Sequence, residues 1–507
     1  MITDVYITPI KACEEGLAEV IQKRFNITLD VATRMVNEQL KKHFNQLKSS
    51  SYLVIEAPYV DRVFRNSYYN YFSTKLGTYN KDCIKVSIFD KEITEDDFKN
   101  KERFNFLYNS FKGFLVIRPT LPQIVGRSVI SPNALKKRNF NTCYSKISTT
   151  VNGVKLEAVG FPHSSQDGET ITCAETTIWA IMEYFSHKYS DYQPVLPSRI
   201  IQVLNKVSTE RQVPSRGLAI QQISFALREF GFGTIVYSRD QYGDEFENIL
   251  SCYITSGIPL VIAVQNQAPH QLIGHALICV GHEFIEADMI EDLEPTIITN
   301  RSLEYKLKSK NITIYDSDSI RKKFVFVDDN HPVYQKAFID NPTGHYGTQA
   351  WRNCRVSNFV VPLHPRIYLE AYAAKNFVIS FLVDGIVSLE DNTEIVLRVY
   401  LTSSRSYKDY LSFNETFDEN IKHVIVEIPM PKFIWIAELS TKELLKQGKS
   451  NGVMLLDATE PNVFDNKPLI LAAFQGHLVK YSQKNYVLQD NSVTLQPFTN
   501  FSNFKSL

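Results

Sequence analysis

Apolar positions recur at helical spacing over residues 30–48, where Ala32, Val36, Leu40, Phe44 and Leu47 share one face. From Tyr52 the texture changes to short β-prone runs at 52–55, 84–89 and 114–119, separated by turn residues. This first part reads as mixed helix and strand. A polar, glycine-containing stretch from Pro162 to Thr172 then gives way to an expected helix over 174–189, with Ala174, Ile178, Ile181, Met182 and Phe185 on one face. A second helix is expected over 218–230, stopped by Gly231. A third is expected from Asp244 to just before Gly257. Continuous apolar runs at 260–264 and 276–280 predict strands covered on both faces, and 324–327 predicts another. Beyond residue 346, strands are expected at 395–400, 423–427, 433–438 and 453–456. A helix is expected at 441–447, and the serine-rich 402–408 reads as a loop.

Helices followed by a sheet define an α+β order. At 507 residues the chain is longer than one core usually spans. The expected division is an N-terminal α+β domain (1–150), a central domain (151–345) and a C-terminal α+β domain (346–507). No repeat or low-complexity segment interrupts it.

Composition narrows the function classes. Hydrophobic residues make up 44% and charged residues 22%, an ordinary globular balance. Fifty-five basic residues face 55 acidic ones, so no global field draws in nucleic acid or anionic lipid. The clearest basic cluster, Lys136-Lys137-Arg138, is a short solvated run. No window approaches the roughly 20 apolar residues that a membrane helix needs. The opening Met1-Ile2-Thr3-Asp4 is not a secretory leader. Together these give an expectation of a cytoplasmic protein. The seven cysteines form no CxxC pair, which argues against a disulfide framework or a zinc ribbon. No phosphate-binding glycine loop and no HExxH is present. His270, His275 and His282 cluster without completing acidic or cysteine ligands, so no metal or cofactor is expected. His270 and His282 read as loop residues, and Trp179 and Trp435 as core aromatics.

Chemistry is concentrated at Cys173. It stands where an irregular loop hands over to a helix, where the macrodipole and free N–H groups favour a thiolate. Those N–H groups also suit a developing oxyanion, and Gln166 is a candidate second donor. His275 opens an apolar strand after Gly274. Asp328 and Asp329 follow the 324–327 run, and either can orient an imidazole through its second nitrogen. Strand alternation favours Asp328, with Asp329 directed to the other face. Each residue alone has a structural explanation. The ordered set, separated by about 100 and then about 50 residues, fits one site in one domain.

On these residues, 160–335 resembles the papain-like cysteine peptidase superfamily, in particular its bacteriocin-processing and related bacterial peptidases. The stretches Phe161-Pro-His-Ser-Ser-Gln-Asp167 and Asp328-Asp-Asn-His-Pro-Val-Tyr334 also resemble a group of bacterial proteins whose flanking parts travel with a peptidase-like core. The resemblance implies a Cys-carrying helix packed on an antiparallel sheet, with Cys173 as nucleophile, His275 as base and acid, Asp328 (or Asp329) as orienter and Gln166 as oxyanion donor. It implies a protein or peptide substrate cleaved at an amide or isopeptide bond. A transglutaminase or deamidase, or a non-catalytic binding or sensor module on the same shell, remains open. Two departures stand out: Gln166 is one residue farther from the cysteine than usual, and Ala174 replaces the more common glycine.

Overall fold

A computed structural model describes residues 3–77, 79–120, 123–214, 217–266, 273–482, 485–490 and 495–505. The fold is mixed α and β, built around three seven-stranded sheets. The first runs in the order Asp4–Pro9, Tyr52–Tyr59, Cys83–Phe89, Phe111–Ile117, Val125–Ile130, Val154–His163 and Ser145–Val151, antiparallel throughout. In Ser145–Val151 the odd-numbered residues are buried and the even-numbered ones exposed, as expected of a sheet with one wet face.

The second sheet runs Gln335–Ala337, Phe324–Val327, Gly274–Glu283, Leu260–Asn266, Cys354–Leu363 and Gly233–Ser238. Phe140–Thr142 adds to the far end of Gly274–Glu283. Every pairing in it is antiparallel. The third sheet runs Thr313–Asp316, Glu394–Ser403, Phe433–Ser440, Gly452–Asp457, Leu469–Phe474, His477–Ser482 and Asn485–Asp490; only its first pair is parallel.

Sheet membership crosses the boundaries expected at 150 and 345. Val154–His163 belongs to the first sheet and Phe140–Thr142 to the second. Thr313–Asp316 joins the third sheet, and Cys354–Leu363 returns to the second. A buried ionic cluster ties the helix Ala371–Asp384 to the edge of the third sheet: Lys375 donates to Asp316 (2.6 Å) and Asp318 (2.7 Å).

The helix Cys173–Lys188 lies between the first two sheets. It packs on Ser145–Val151 and Val154–His163 on one side and on Gly274–Glu283 on the other. Every residue from Ala174 to Phe185 is buried, the polar Glu175, Thr176, Thr177 and Glu183 included. The helices Ile220–Glu229 and Glu245–Thr255 form where expected. Trp179 and Trp435 are core residues.

Three local expectations are corrected. Residues 423–427 belong to the helix Glu419–Glu427 and not to a strand. Asp418 caps it by accepting the Ile421 N–H (3.0 Å), and Ile421 and Ile425 are buried one turn apart. Residues 402–408 are not a loop. Thr402 and Ser403 end a strand, and Ser403 caps the helix Ser404–Phe413, in which Tyr407 and Leu411 are buried. His282 is a buried strand residue, edge-on to Phe504. His270 lies outside the described residues.

Candidate active site

The loop before Cys173 is shaped by its own side chains and by the first sheet. Asp167 accepts the backbone N–H groups of Glu169 (2.9 Å), Thr170 (2.7 Å) and Ile171 (3.0 Å). Gly168 takes φ +74°, the left-handed conformation that glycine adopts without a Cβ clash. From the first sheet side, buried Arg118 donates to the carbonyls of Ser165 (3.0 Å) and Gln166 (3.2 Å). Tyr71 and Lys75 both donate to the Glu169 carboxylate. Thr172 then caps the helix, with the Glu175 carboxylate accepting its backbone N–H at 3.0 Å. Cys173, the first helical residue, is half-buried, whereas the other six cysteines are buried. Burial raises the thiol pKa of all six: Cys13 and Cys143 to about 11, and Cys83, Cys252, Cys279 and Cys354 in the same direction.

His275 comes from the strand that packs on this helix. The antiparallel register sets Val327 opposite Ile278, so the residues after Val327 run back toward the His275 end. His275 Nε2 bonds Asp328 Oδ1 at 3.1 Å. The Cys173 side chain adjoins the ring and favours its charged form. Burial opposes the imidazolium, but the Asp328 charge and hydrogen bond outweigh it and hold the His275 pKa well above its ordinary value.

The two aspartates have opposite surroundings. Asp328 also accepts the Asn330 N–H (3.0 Å) and the Tyr346 hydroxyl (2.7 Å). Burial alone would raise its pKa, but His275 and these donors bring it well below the usual carboxylate range. Asp329 Oδ1 is 3.5 Å from His275 Nε2. Neither of its carboxylate oxygens has a hydrogen-bond partner among the described residues. Burial, reinforced by the Asp328 charge, raises Asp329 to about 7 despite His275. Gln166 joins the same network: its amide donates to Asn330 Oδ1 (3.1 Å), and Asn330 Nδ2 donates to the Tyr346 hydroxyl (3.3 Å).

Several participants were not visible to sequence reasoning. Trp351 stands edge-on to the His275 ring at 5.2 Å and stacks on Tyr346 at 4.5 Å. Both aromatics come from a turn-rich stretch just past residue 345, without a periodicity to announce them. His163 Nε2 lies 3.1 Å from the carbonyls of both Asp328 and His331, and Lys42 donates to the Asn330 carbonyl (2.8 Å). Burial lowers His163 and His331 to about 4 and moves His345 in the same direction. Asp328, His331 and His345 each offer a ligand atom within 4.8 Å of the others.

No protein-family model matches the chain, and no curated protein matches it. Among the described residues, no helix is long and apolar enough to cross a membrane.

Proposed function

We propose that the chain is a papain-like cysteine hydrolase acting on an amide or isopeptide bond of a protein or peptide. The observation that carries the reading is the buried, hydrogen-bonded His275–Asp328 pair beside Cys173, drawn from a strand start, a post-strand turn and a helix start. In this reaction His275 holds the Cys173 proton and leaves a thiolate, which attacks the carbonyl carbon. The oxyanion forms beside the backbone N–H of Cys173 at the start of the Cys173–Lys188 helix, with Gln166 assigned as the second donor. His275 then protonates the departing amine as the C–N bond breaks, leaving a thioester on Cys173. Water gives its proton to His275 and attacks the thioester; the acid leaves and the thiol is restored. Asp328 keeps the ring oriented and compensates its charge throughout. Transfer of the same acyl group to an amine, as in a transglutaminase, would use identical residues.

Selective alkylation of Cys173 is a weak test, because burial already protects the other six thiols. Dependence on His275 is the sharper one. The chain would be incubated with a library of peptide amides and isopeptides, and its Cys173 peptide inspected by mass spectrometry. The expected result is a hydroxylamine-sensitive acyl adduct on Cys173 that is absent from His275→Ala. The reading fails if no adduct forms and iodoacetamide alkylates Cys173 equally fast in both proteins. That outcome would leave a papain-like shell serving as a binding or sensor module.

A further inference from the structure

We infer that Asp328, His331 and His345 form a binding site for a divalent transition-metal ion, Zn2+ foremost, that shares the aspartate of the candidate triad. Their ligand atoms all lie within 4.8 Å of one another, and His345 Nε2 is 3.9 Å from Asp328 Oδ2. Two imidazoles and a carboxylate form a donor set suited to zinc, and three protein ligands leave a fourth position for water or a further group. The burial gradient also fits: Asp328 is buried, His331 half-buried and His345 exposed, which gives an ion a route in from solvent.

The surroundings hold these groups in place. The Tyr346 hydroxyl donates to Asp328 Oδ2 (2.7 Å), the kind of outer hydrogen bond that orients a ligating carboxylate. His163 fixes the backbone between two of the ligands through the Asp328 and His331 carbonyls. The two ligand imidazoles meet edge to face at 4.4 Å. Sequence spacing gave no hint of the trio, because the ligands come from a turn and from a separate stretch beyond it. Lys42 acts against the site, since its ammonium reaches the same turn at the Asn330 carbonyl.

The two oxygens of Asp328 face different ways. Oδ1 serves His275, whereas Oδ2 lies toward His345. A dication bound at Oδ2 would compete with His275 for the same carboxylate. The site is therefore a switch that turns the triad off when metal is present. Binding itself does not depend on the catalytic reading, but this regulatory consequence does.

Calorimetric titration of the full chain with ZnCl2 separates the two. One equivalent should bind to the wild type and equally to Cys173→Ala, which excludes capture by the thiol. His345→Ala, at an exposed position where folding is not at risk, should weaken binding at least about 10–100-fold, as should His331→Ala. Lys42→Met should tighten it. Co2+ in place of Zn2+ should give visible absorption bands of low-symmetry coordination, absent from His345→Ala. The inference is overturned if no metal binds, if binding disappears in Cys173→Ala, or if His345→Ala binds as tightly as wild type. With binding established, Zn2+ should slow iodoacetamide alkylation of Cys173 in wild type and leave His345→Ala unaffected. Equal slowing in both proteins would refute the switch while leaving the binding result standing.

Discussion

Replacing Asp328 by Asn removes one charge and little else. The Asn carbonyl oxygen can occupy the Oδ1 position, where it still accepts from the Asn330 N–H and from His275 Nε2. The amide nitrogen then meets the Tyr346 hydroxyl, which can rotate from donor to acceptor. What disappears is the attraction that holds His275 as an imidazolium. At an effective dielectric of about 20, unit charges at the 3.1 Å separation attract by about 5 kcal/mol, nearly four decades of equilibrium. Asp329, 3.5 Å away, recovers part of this, and burial of the ring then works unopposed against its charge. Cys173 alkylation by iodoacetamide at pH 7 should accordingly slow by about 10²–10⁴-fold. The rate should instead rise toward alkaline pH as the thiol ionises without its partner. The assay is peptide-resolved mass spectrometry from pH 5 to 9, with circular dichroism and the thermal midpoint as folding controls. A variant that folds and alkylates at the wild-type rate with the wild-type pH profile would refute the claim that this aspartate sets the charge of the pair.

Asp329 gives the opposite sign. Its folded-state pKa of about 7 lies above the ordinary 3.8, so the folded protein holds a proton that the unfolded chain has released, and stability falls as pH rises through that window. Asp329→Asn should therefore raise the thermal midpoint at pH 8 and leave it nearly unchanged at pH 4; a lower midpoint at pH 8 would contradict this. Gln166→Ala should cut kcat by about 10²–10³ with little change in KM if the amide serves the oxyanion. Wild-type turnover would assign Gln166 only to the Asn330 contact. Lys375→Met leaves Asp316 and Asp318 buried without their ion-pair partner, with only Lys322 as a nearby cation among the described residues, and should cost about 3–5 kcal/mol in denaturant unfolding, with a loss under 1 kcal/mol counting against the argument.

The elements that carry the triad were legible because each has a strong local signature. Thr172 and Glu175 announce a helix start, with Cys173 between them. The apolar runs around 276–280 and 324–327 are uniform enough to read as covered strands, and their antiparallel pairing, with one register shift between Cys279 and Gly281, brings their ends together. The 419–427 helix was misread because His423-Val-Ile-Val favours a strand by propensity. The Asp418 cap and the Ile421–Ile425 face decided otherwise, and those cues lie outside the β-branched run itself.

What stayed hidden is the support around the triad, and the reason is tertiary. Arg118 follows the first-sheet strand Phe111–Ile117, some fifty residues before Cys173, yet its guanidinium fixes the carbonyls of Ser165 and Gln166. Lys42, on an N-terminal helical segment, holds the turn that carries Asp328 through the Asn330 carbonyl. Tyr346 and Trp351 approach His275 from beyond the boundary that composition suggested. None of these residues has a sequence neighbour that betrays its role; each works through long-range hydrogen bonds or ring contacts. The N-terminal part is therefore a structural wall of the site and not a detachable flank. The Cys173 helix has one of its two packing faces on strands of the first sheet, so a chain cut near residue 150 would lose Ser145–Val151 and the buried guanidinium together. It would leave the thiol on a helix with an uncovered apolar side.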